Sequence, residues 1–241
     1  METIIETNHL KKSFGSNNVL KDINFKIEKG ENLVVFGKSG SGKSVLIKCL
    51  IGLIEPDDGK VVILGENISD LKEEELNILR KKVGFLFQSA ALYDSMTVKE
   101  NLEFPLRDLK SKSKEEIDTL VIEALKNVGL EDAIDKMPSE LSGGMRKRVG
   151  LARSLILKPE IILYDEPTTG LDPITSKEIS QLILDVQKKY NTASIIITHD
   201  VECARITANR MMIIKDGSSV AEGTFKELSE STDEWVRSFF Q

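Results

Sequence analysis

Long apolar runs are absent from this sequence of 241 residues. A membrane-spanning helix needs about 18 consecutive apolar residues, and even the apolar run Val45–Ile54 is interrupted by Lys48 and Gly52. The first residues also lack the basic start and apolar stretch of a secretion signal. We therefore expect a soluble, cytoplasmic domain without a membrane span of its own.

Cysteine is also scarce, and the sequence has no excess of positive charge. The two cysteines, Cys49 and Cys203, lie far apart in predicted helices, which favours reduced thiols of a cytosolic core over a disulfide. The net charge of −6 excludes a global basic field, so nucleic acid is not an expected partner. Any attraction for anions must be local.

Strand patterns alternate with helical patterns along most of the chain. This order predicts an α/β fold with a largely parallel sheet. The opening segments Thr3–Phe14 and Val19–Ile27 alternate apolar and polar residues like antiparallel strands. Further strands are predicted at Val61–Leu64, Val83–Phe87, Ile161–Asp165, Ser194–Thr198 and Met211–Lys215, and helices at Lys43–Ile51, Pro173–Lys189 and Asp200–Ala208.

Residues 89–141 show helical patterns only. The stretch Lys114–Val128 carries apolar residues on one helical face. We interpret the whole chain, 1–241, as one domain with a helical insertion. Residues 1–88 and 158–241 would form the catalytic core with an antiparallel β subdomain, and residues 89–157 an inserted α-helical subdomain.

A phosphate-binding loop follows the apolar run Leu33–Phe36. Residues Gly37–Ser44 read G-K-S-G-S-G-K-S, which matches G-x-x-x-x-G-K-S. Its glycines let successive backbone N–H groups face phosphate oxygens, and the following helix adds its positive dipole end. Lys43 would reach the β- and γ-phosphates, and the Ser44 hydroxyl would bind Mg²⁺. The alternative is a Gly/Ser-rich turn that binds nothing. The nucleotide-contacting candidates are Gly37, Lys38, Ser39, Gly40, Ser41, Gly42, Lys43, Ser44 and Val45.

Polar side chains follow three other predicted strands. Asp165, at the end of an apolar strand, is placed to hold Mg²⁺, and Glu166 to act as general base on the attacking water. His199 follows another strand, where it can hydrogen-bond a γ-phosphate oxygen and the same water. Gln88 ends the strand Val83–Phe87 and could sense Mg²⁺ or water. Considered singly, each of these is an ordinary exposed carboxylate, a structural histidine or an uninformative glutamine.

A second glycine cluster, Leu141–Gly144, opens the predicted helix Met145–Leu157. Free N–H groups and a positive dipole end at Ser142, Gly143 and Gly144 suit a γ-phosphate. Nothing in the topology obliges this turn to meet the phosphate loop of its own chain. The sequence therefore predicts an active site that needs two copies of the domain.

With these motifs the chain resembles the ATP-binding cassette (ABC) ATPases over about residues 3–225. The resemblance implies an ATPase of P-loop fold with a RecA-like mixed sheet, ATP and Mg²⁺ as cofactors, and a head-to-tail homodimer. It also implies that Phe14 stacks on adenine, although a core position at a strand end is the alternative. Met145 stands where the family usually has glutamine, but Ser142 and Gly144 are retained. The matching motifs are the phosphate loop Gly37–Ser44, the Gln loop at Gln88, the signature Leu141–Met145, Walker B at Ile161–Asp165 with Glu166, the D-loop Thr169–Asp172, and the switch His199.

Within this family the chain is most similar to the ATPases of Mla/Mce-type lipid transporters. The similarity lies in Phe85–Val98 continuing to Asn101–Leu106, in Leu141–Ala152, and in Tyr164–Asp172. It implies phospholipid or related lipid movement between membranes, with an integral membrane permease and an Mce-type substrate-binding protein. The ATPase would then lie on the cytoplasmic face of the inner membrane.

Other functions account for less of the sequence. An importer subunit for a small polar solute and a non-transport regulatory ABC ATPase remain open. A P-loop kinase or GTPase would leave Ser142–Gly144 and His199 without a role. The C-terminal stretch Asp233–Gln241 has an apolar face at helical spacing, for packing against its own domain or against a partner.

Overall fold

The computed structural model describes residues 2–107 and 112–240, and there ten strands form one sheet. The strands are β1 (Thr3–Phe14), β2 (Asn17–Glu28), β3 (Asn32–Phe36), β4 (Asp58–Ile63), β5 (Glu66–Asn67), β6 (Val83–Leu86), β7 (Ile161–Asp165), β8 (Ala193–Ile197), β9 (Arg210–Lys215) and β10 (Ser218–Gly223). Their spatial order is β5-β4-β1-β2-β10-β9-β3-β8-β7-β6.

The sheet has a parallel part and an antiparallel part, as the sequence predicts. Strands β9, β3, β8, β7 and β6 are parallel neighbours, with Leu33 beside Ile195 and Leu86 beside Tyr164. Strands β2, β1, β4 and β5 pair antiparallel, and β10 pairs antiparallel with β9. The parallel strands are largely apolar because both of their faces are covered.

The helices are α1 (Lys43–Leu50), α2 (Glu73–Arg80), α3 (Val98–Glu103), α4 (Lys114–Val128), α5 (Gly143–Leu155), α6 (Pro173–Tyr190), α7 (Val201–Thr207), α8 (Phe225–Ser229) and α9 (Glu234–Arg237). Single 3-10 turns lie at Ile68–Asp70, Phe104–Leu106, Glu131–Ala133, Pro138–Glu140 and Ser238–Phe240. None of the helices in the described residues is both long enough and apolar enough to cross a bilayer.

Between β6 and β7 the described residues form helices and turns only. Helix α4 has the predicted bounds, since Ser113 caps its N-terminus in a capping box and Gly129 ends it in the left-handed conformation. Helix α5 begins at Gly143, two residues earlier than predicted, because the Ser142 hydroxyl caps it. The division of the chain into a core and an inserted subdomain stays our interpretation of this pattern.

Alternate residues of each parallel strand face two separate cores. Val34 and Phe36 of β3 pack in the cluster that includes α3 to α6 and the C-terminal turn. Leu33 and Val35 pack in the other, against α1, α2 and the antiparallel strands. Cys203 lies in the first cluster and Cys49 in the second, both as buried free thiols. The two cysteines are therefore on opposite faces of the sheet.

Candidate active site

The predicted phosphate and catalytic residues meet at one edge of the sheet. Strands β3, β6, β7 and β8 are parallel, so their carboxyl ends lie at the same edge. A cavity of about 700 Å³ opens there. It is lined by Val19, Phe36, Gly37, Lys38, Ser39, Gly40, Gly42, Lys43, Ser44, Val45, Gln88, Glu166, His199, Ser238 and Phe239.

The phosphate loop joins β3 to α1 and depends on Gly42. This residue has a φ of 102°, and a Cβ atom there would lie 2.9 Å from the Val19 carbonyl oxygen, so only glycine fits without strain. The Lys43 ammonium is buried and donates to the carbonyl oxygens of Gly37 (2.7 Å) and Lys38 (3.0 Å). Burial lowers the pKa of Lys43, an effect that the nearby Glu166 and Asp165 charges oppose. An ammonium held beneath a loop of this kind suits a bound phosphate chain.

Ser44 and Asp165 place two oxygen atoms that could bind a metal ion beside the loop. The Ser44 hydroxyl oxygen lies 3.4 Å from Asp165 Oδ1. Burial raises the pKa of Asp165, and the neighbouring Glu166 charge raises it further. Mg²⁺ prefers oxygen ligands such as a hydroxyl and a carboxylate, so these two residues fit the predicted metal. Gln88 lines the same cavity, and its metal contact stays a prediction.

The structure brings Glu166 and His199 together. The Glu166 carboxylate oxygen Oε2 lies 2.8 Å from His199 Nδ1 and accepts a hydrogen bond of 3.1 Å from the Thr169 hydroxyl. The Glu166 side chain is 14% exposed and that of His199 is 66% exposed. A carboxylate fixed by two partners at the cavity wall can take a proton from a water molecule there. The sequence did not indicate that Thr169 would hydrogen-bond the Glu166 carboxylate together with His199, although Thr169 falls in the D-loop.

The signature residues and Asp172 lie outside this cavity. Ser142, Gly143, Gly144 and Asp172 are not among the described residues that line it. Ser142 caps α5, with its hydroxyl accepting from the Met145 N–H at 3.2 Å. Asp172 caps α6, accepting from the N–H groups of Ile174 and Thr175. Both helix starts are therefore formed, but they do not reach the phosphate loop of their own chain.

Phe14 also lies outside the cavity lining, at the end of β1. Its side chain is 49% exposed, so the alternative of a core position is wrong. The Lys12 ammonium lies 5.5 Å from the centroid of its ring. An exposed ring can stack on a planar ligand, and the predicted contact with adenine stays a prediction.

The C-terminal turn contributes cavity residues that the sequence did not reveal. Phe239 packs edge-on against Phe36, with the ring centroids 5.7 Å apart, and Phe240 stacks on the same ring at 6.2 Å. Ser238 and Phe239 line the cavity. The segment thus packs against its own domain, one of the two expected alternatives. Helical spacing gave the apolar face but no sign of where it would dock.

We expect deletion of residues 233–241 to weaken ATP binding and lower the melting temperature. Phe36 directly precedes the phosphate loop, and removing several aromatic side chains should cost about 3 kcal/mol or more. Thermal unfolding and ATP titration would measure both effects, with Glu234→Gln as control because Glu234 is 92% exposed. If the shortened protein kept normal stability and ATP binding but no longer self-associated, the segment would instead belong to a partner interface.

The fold and this site define a P-loop nucleoside triphosphatase. The family model for the ABC transporter matches residues 20–169, more than half of the chain. The chain belongs to the ABC transporter family: it is an ATP-binding, ATP-hydrolysing subunit.

Curated relatives and solved structures extend the match beyond that range. The "Probable ribonucleotide transport ATP-binding protein mkl" of Mycobacterium tuberculosis is 43% identical over 239 residues, 99% of this chain and 67% of the relative. The "Intermembrane phospholipid transport system ATP-binding protein MlaF" of Haemophilus influenzae is 37% identical over 240 residues, 100% of this chain and 91% of the relative. A dimeric, post-hydrolysis structure of the ATP-binding cassette MJ0796 with ADP and Pi superposes with a TM-score of 0.84 at 34% identity, covering 92% of this chain and 99% of the other.

Proposed function

We propose that this chain is the ATPase of a transporter that moves phospholipid or a related lipid between membranes. Two copies would pair head to tail around ATP and drive a separate integral membrane permease. An Mce-type substrate-binding protein would present the lipid. The ATPase would sit on the cytoplasmic face of the membrane through its contact with the permease.

The observation that carries the pairing is that the signature residues do not line the cavity of their own chain. Ser142 caps a well-formed helix and Gly144 lies in its first turn, yet neither lines the chain's own cavity. A helix N-terminus suits an anion, and the γ-phosphate of ATP bound in the phosphate loop of a second copy would be that anion. The dimeric cassette with ADP and Pi supports this pairing.

Within each shared site the residues have separate tasks. Lys43 and the loop N–H groups would bind the phosphate chain, and Ser44 and Asp165 would hold Mg²⁺. The metal would neutralise the charge that develops on the phosphate oxygens. Glu166 would take the proton of the attacking water, while His199 and Thr169 keep its carboxylate in place.

Lipid as cargo rests on the MlaF relative and on the segment after Gln88. That relative spans the chain from end to end. The segment after Gln88 resembles that of the Mla/Mce-type ATPases and would contact the permease. The mkl relative, whose name gives ribonucleotide transport, favours an importer of a small polar solute as the second candidate. The two candidates differ in the partner proteins and in the bound cargo.

Purification of the whole complex tests the proposal. We expect the tagged chain to bring down a permease and an Mce-type protein, and mass spectrometry of the solvent extract to find bound phospholipid. ATP should then accelerate lipid transfer between donor and acceptor vesicles. A complex that holds a soluble-solute receptor, and whose ATP hydrolysis responds to that solute but not to lipid, would contradict lipid transport.

A further inference from the structure

Helix α5 directs a buried ammonium group at two catalytic loops. Lys147, one turn after Gly143 of the signature, is only 5% exposed. Its Nζ donates to the backbone carbonyl oxygen of Gln88 and to that of Glu166, the latter at 3.1 Å. One side chain therefore joins the loop that follows β6 to the loop that follows β7.

The Glu166 carbonyl is in an unusual position. Glu166 has a φ of 50°, a left-handed conformation that costs a residue other than glycine about 1–2 kcal/mol. Its N–H donates to the Ile197 carbonyl at 2.8 Å, so the backbone is fixed on one side by β8. Lys147 fixes the carbonyl on the other side. The conformation that aims the Glu166 carboxylate at the cavity thus depends on partners outside β7.

A buried ammonium is costly where an apolar residue would fill the same space. Burial lowers the pKa of Lys147 to about 8, with Asp165 and Glu166 opposing that change. A lysine at position 147 is therefore not explained by stability. It is explained by its hydrogen bonds to the two carbonyl groups.

The same helix contacts the Gln88 loop again, further along. The Arg153 guanidinium donates to the carbonyl oxygens of Ala90 (3.0 Å) and Ala91 (2.9 Å). Gly150 lies between, and a Cβ atom there would lie only 3.0 Å from the Ala90 Cβ. Helix and loop are packed so closely that one cannot shift without the other.

We propose that Lys147 is a positioning residue that ties helix α5 to the catalytic base of its own chain. This inference rests on the proposed pairing. Ser142 at the start of α5 covers the partner's nucleotide, while Lys147 holds Gln88 and Glu166 at this chain's nucleotide. When α5 closes over the ATP of the partner, Lys147 thereby positions Glu166 to act on the ATP of its own chain.

Substituting Lys147→Met tests this role. We expect the kcat of ATP hydrolysis to fall about tenfold to a hundredfold, the loss typical of a misplaced catalytic group. The Kd for ATP should stay within about twofold, because Lys147 is not among the described cavity-lining residues. The variant should accumulate as an ATP-dependent dimer, since closure no longer leads to hydrolysis. Lys147→Gln, which keeps two N–H donors, should recover most of the kcat.

Controls separate positioning from simple damage. Lys126→Met removes the same charge from an exposed position on α4 and should leave hydrolysis unchanged. An unchanged kcat in Lys147→Met would overturn the role. The role would also be overturned if Lys147→Met lost thermal stability, ATP binding and dimerisation together. A Lys147→Gln variant as slow as Lys147→Met would overturn it as well. Failure of Glu166→Gln to dimerise with ATP would instead count against the proposed pairing.

Discussion

Replacing Glu166 by glutamine is expected to slow ATP hydrolysis about a hundredfold to ten-thousandfold while ATP binding persists. Glutamine keeps the shape of the side chain, and its carbonyl oxygen can still accept from the Thr169 hydroxyl. It cannot take a proton from water. Phosphate release would measure hydrolysis, and light scattering after gel filtration with ATP would measure assembly. The variant should collect as a dimer with ATP trapped between two copies.

An exposed glutamate provides the control for this experiment. Glu123→Gln on α4 makes the same change of charge on the helix surface, and it should hydrolyse ATP like the parent. A Glu166→Gln protein that stays monomeric at saturating ATP would contradict the shared site. One that hydrolyses ATP at the parent rate would show that another group is the base.

The fold was predictable where burial gives the sequence a clear apolar pattern. Strand β7 has the predicted bounds, because a parallel strand covered on both faces reads as an unbroken apolar run. Strands β10 and β5 escaped prediction. Ser218–Gly223 carries a single branched apolar residue, Val220, and β5 has only two residues. Such strands are held by pairing with their neighbours rather than by their own side chains.

The site was predictable where its residues follow strands that run parallel. Gln88, Glu166 and His199 converge on the phosphate loop for that reason. Phe36 and Phe239 meet from opposite ends of the chain, and no local pattern predicts such a contact. Lys147 did leave a signal: with Gly144 and Leu151 it falls on the buried face of α5, where a charged residue is out of place.

Mixing two inactive variants is expected to restore ATP hydrolysis. Lys43→Met removes the ammonium beneath the phosphate loop, and Ser142→Arg blocks the helix start that would cover the partner's nucleotide. Each variant alone should lose about a hundredfold or more, as when a transition-state donor is removed. In a mixed dimer one site combines the intact loop of one chain with the intact signature of the other. Random pairing then restores at most about a quarter of the parent rate.

The size of the recovery separates two arrangements of the site. If each chain completed its own pocket, both variants would stay inactive at every mixing ratio, because no pairing would unite an intact loop with an intact signature. If the pockets are shared, the rate should peak at equal amounts and fall on dilution below the dimer Kd. A recovery below a quarter fits the link through Lys147. The Ser142→Arg chain supplies the active Glu166, but its helix α5 faces the defective phosphate loop of the Lys43→Met chain. Adding Lys147→Met to the Ser142→Arg chain should then lower the rate further, whereas adding it to the Lys43→Met chain should not, because only the former supplies the active Glu166.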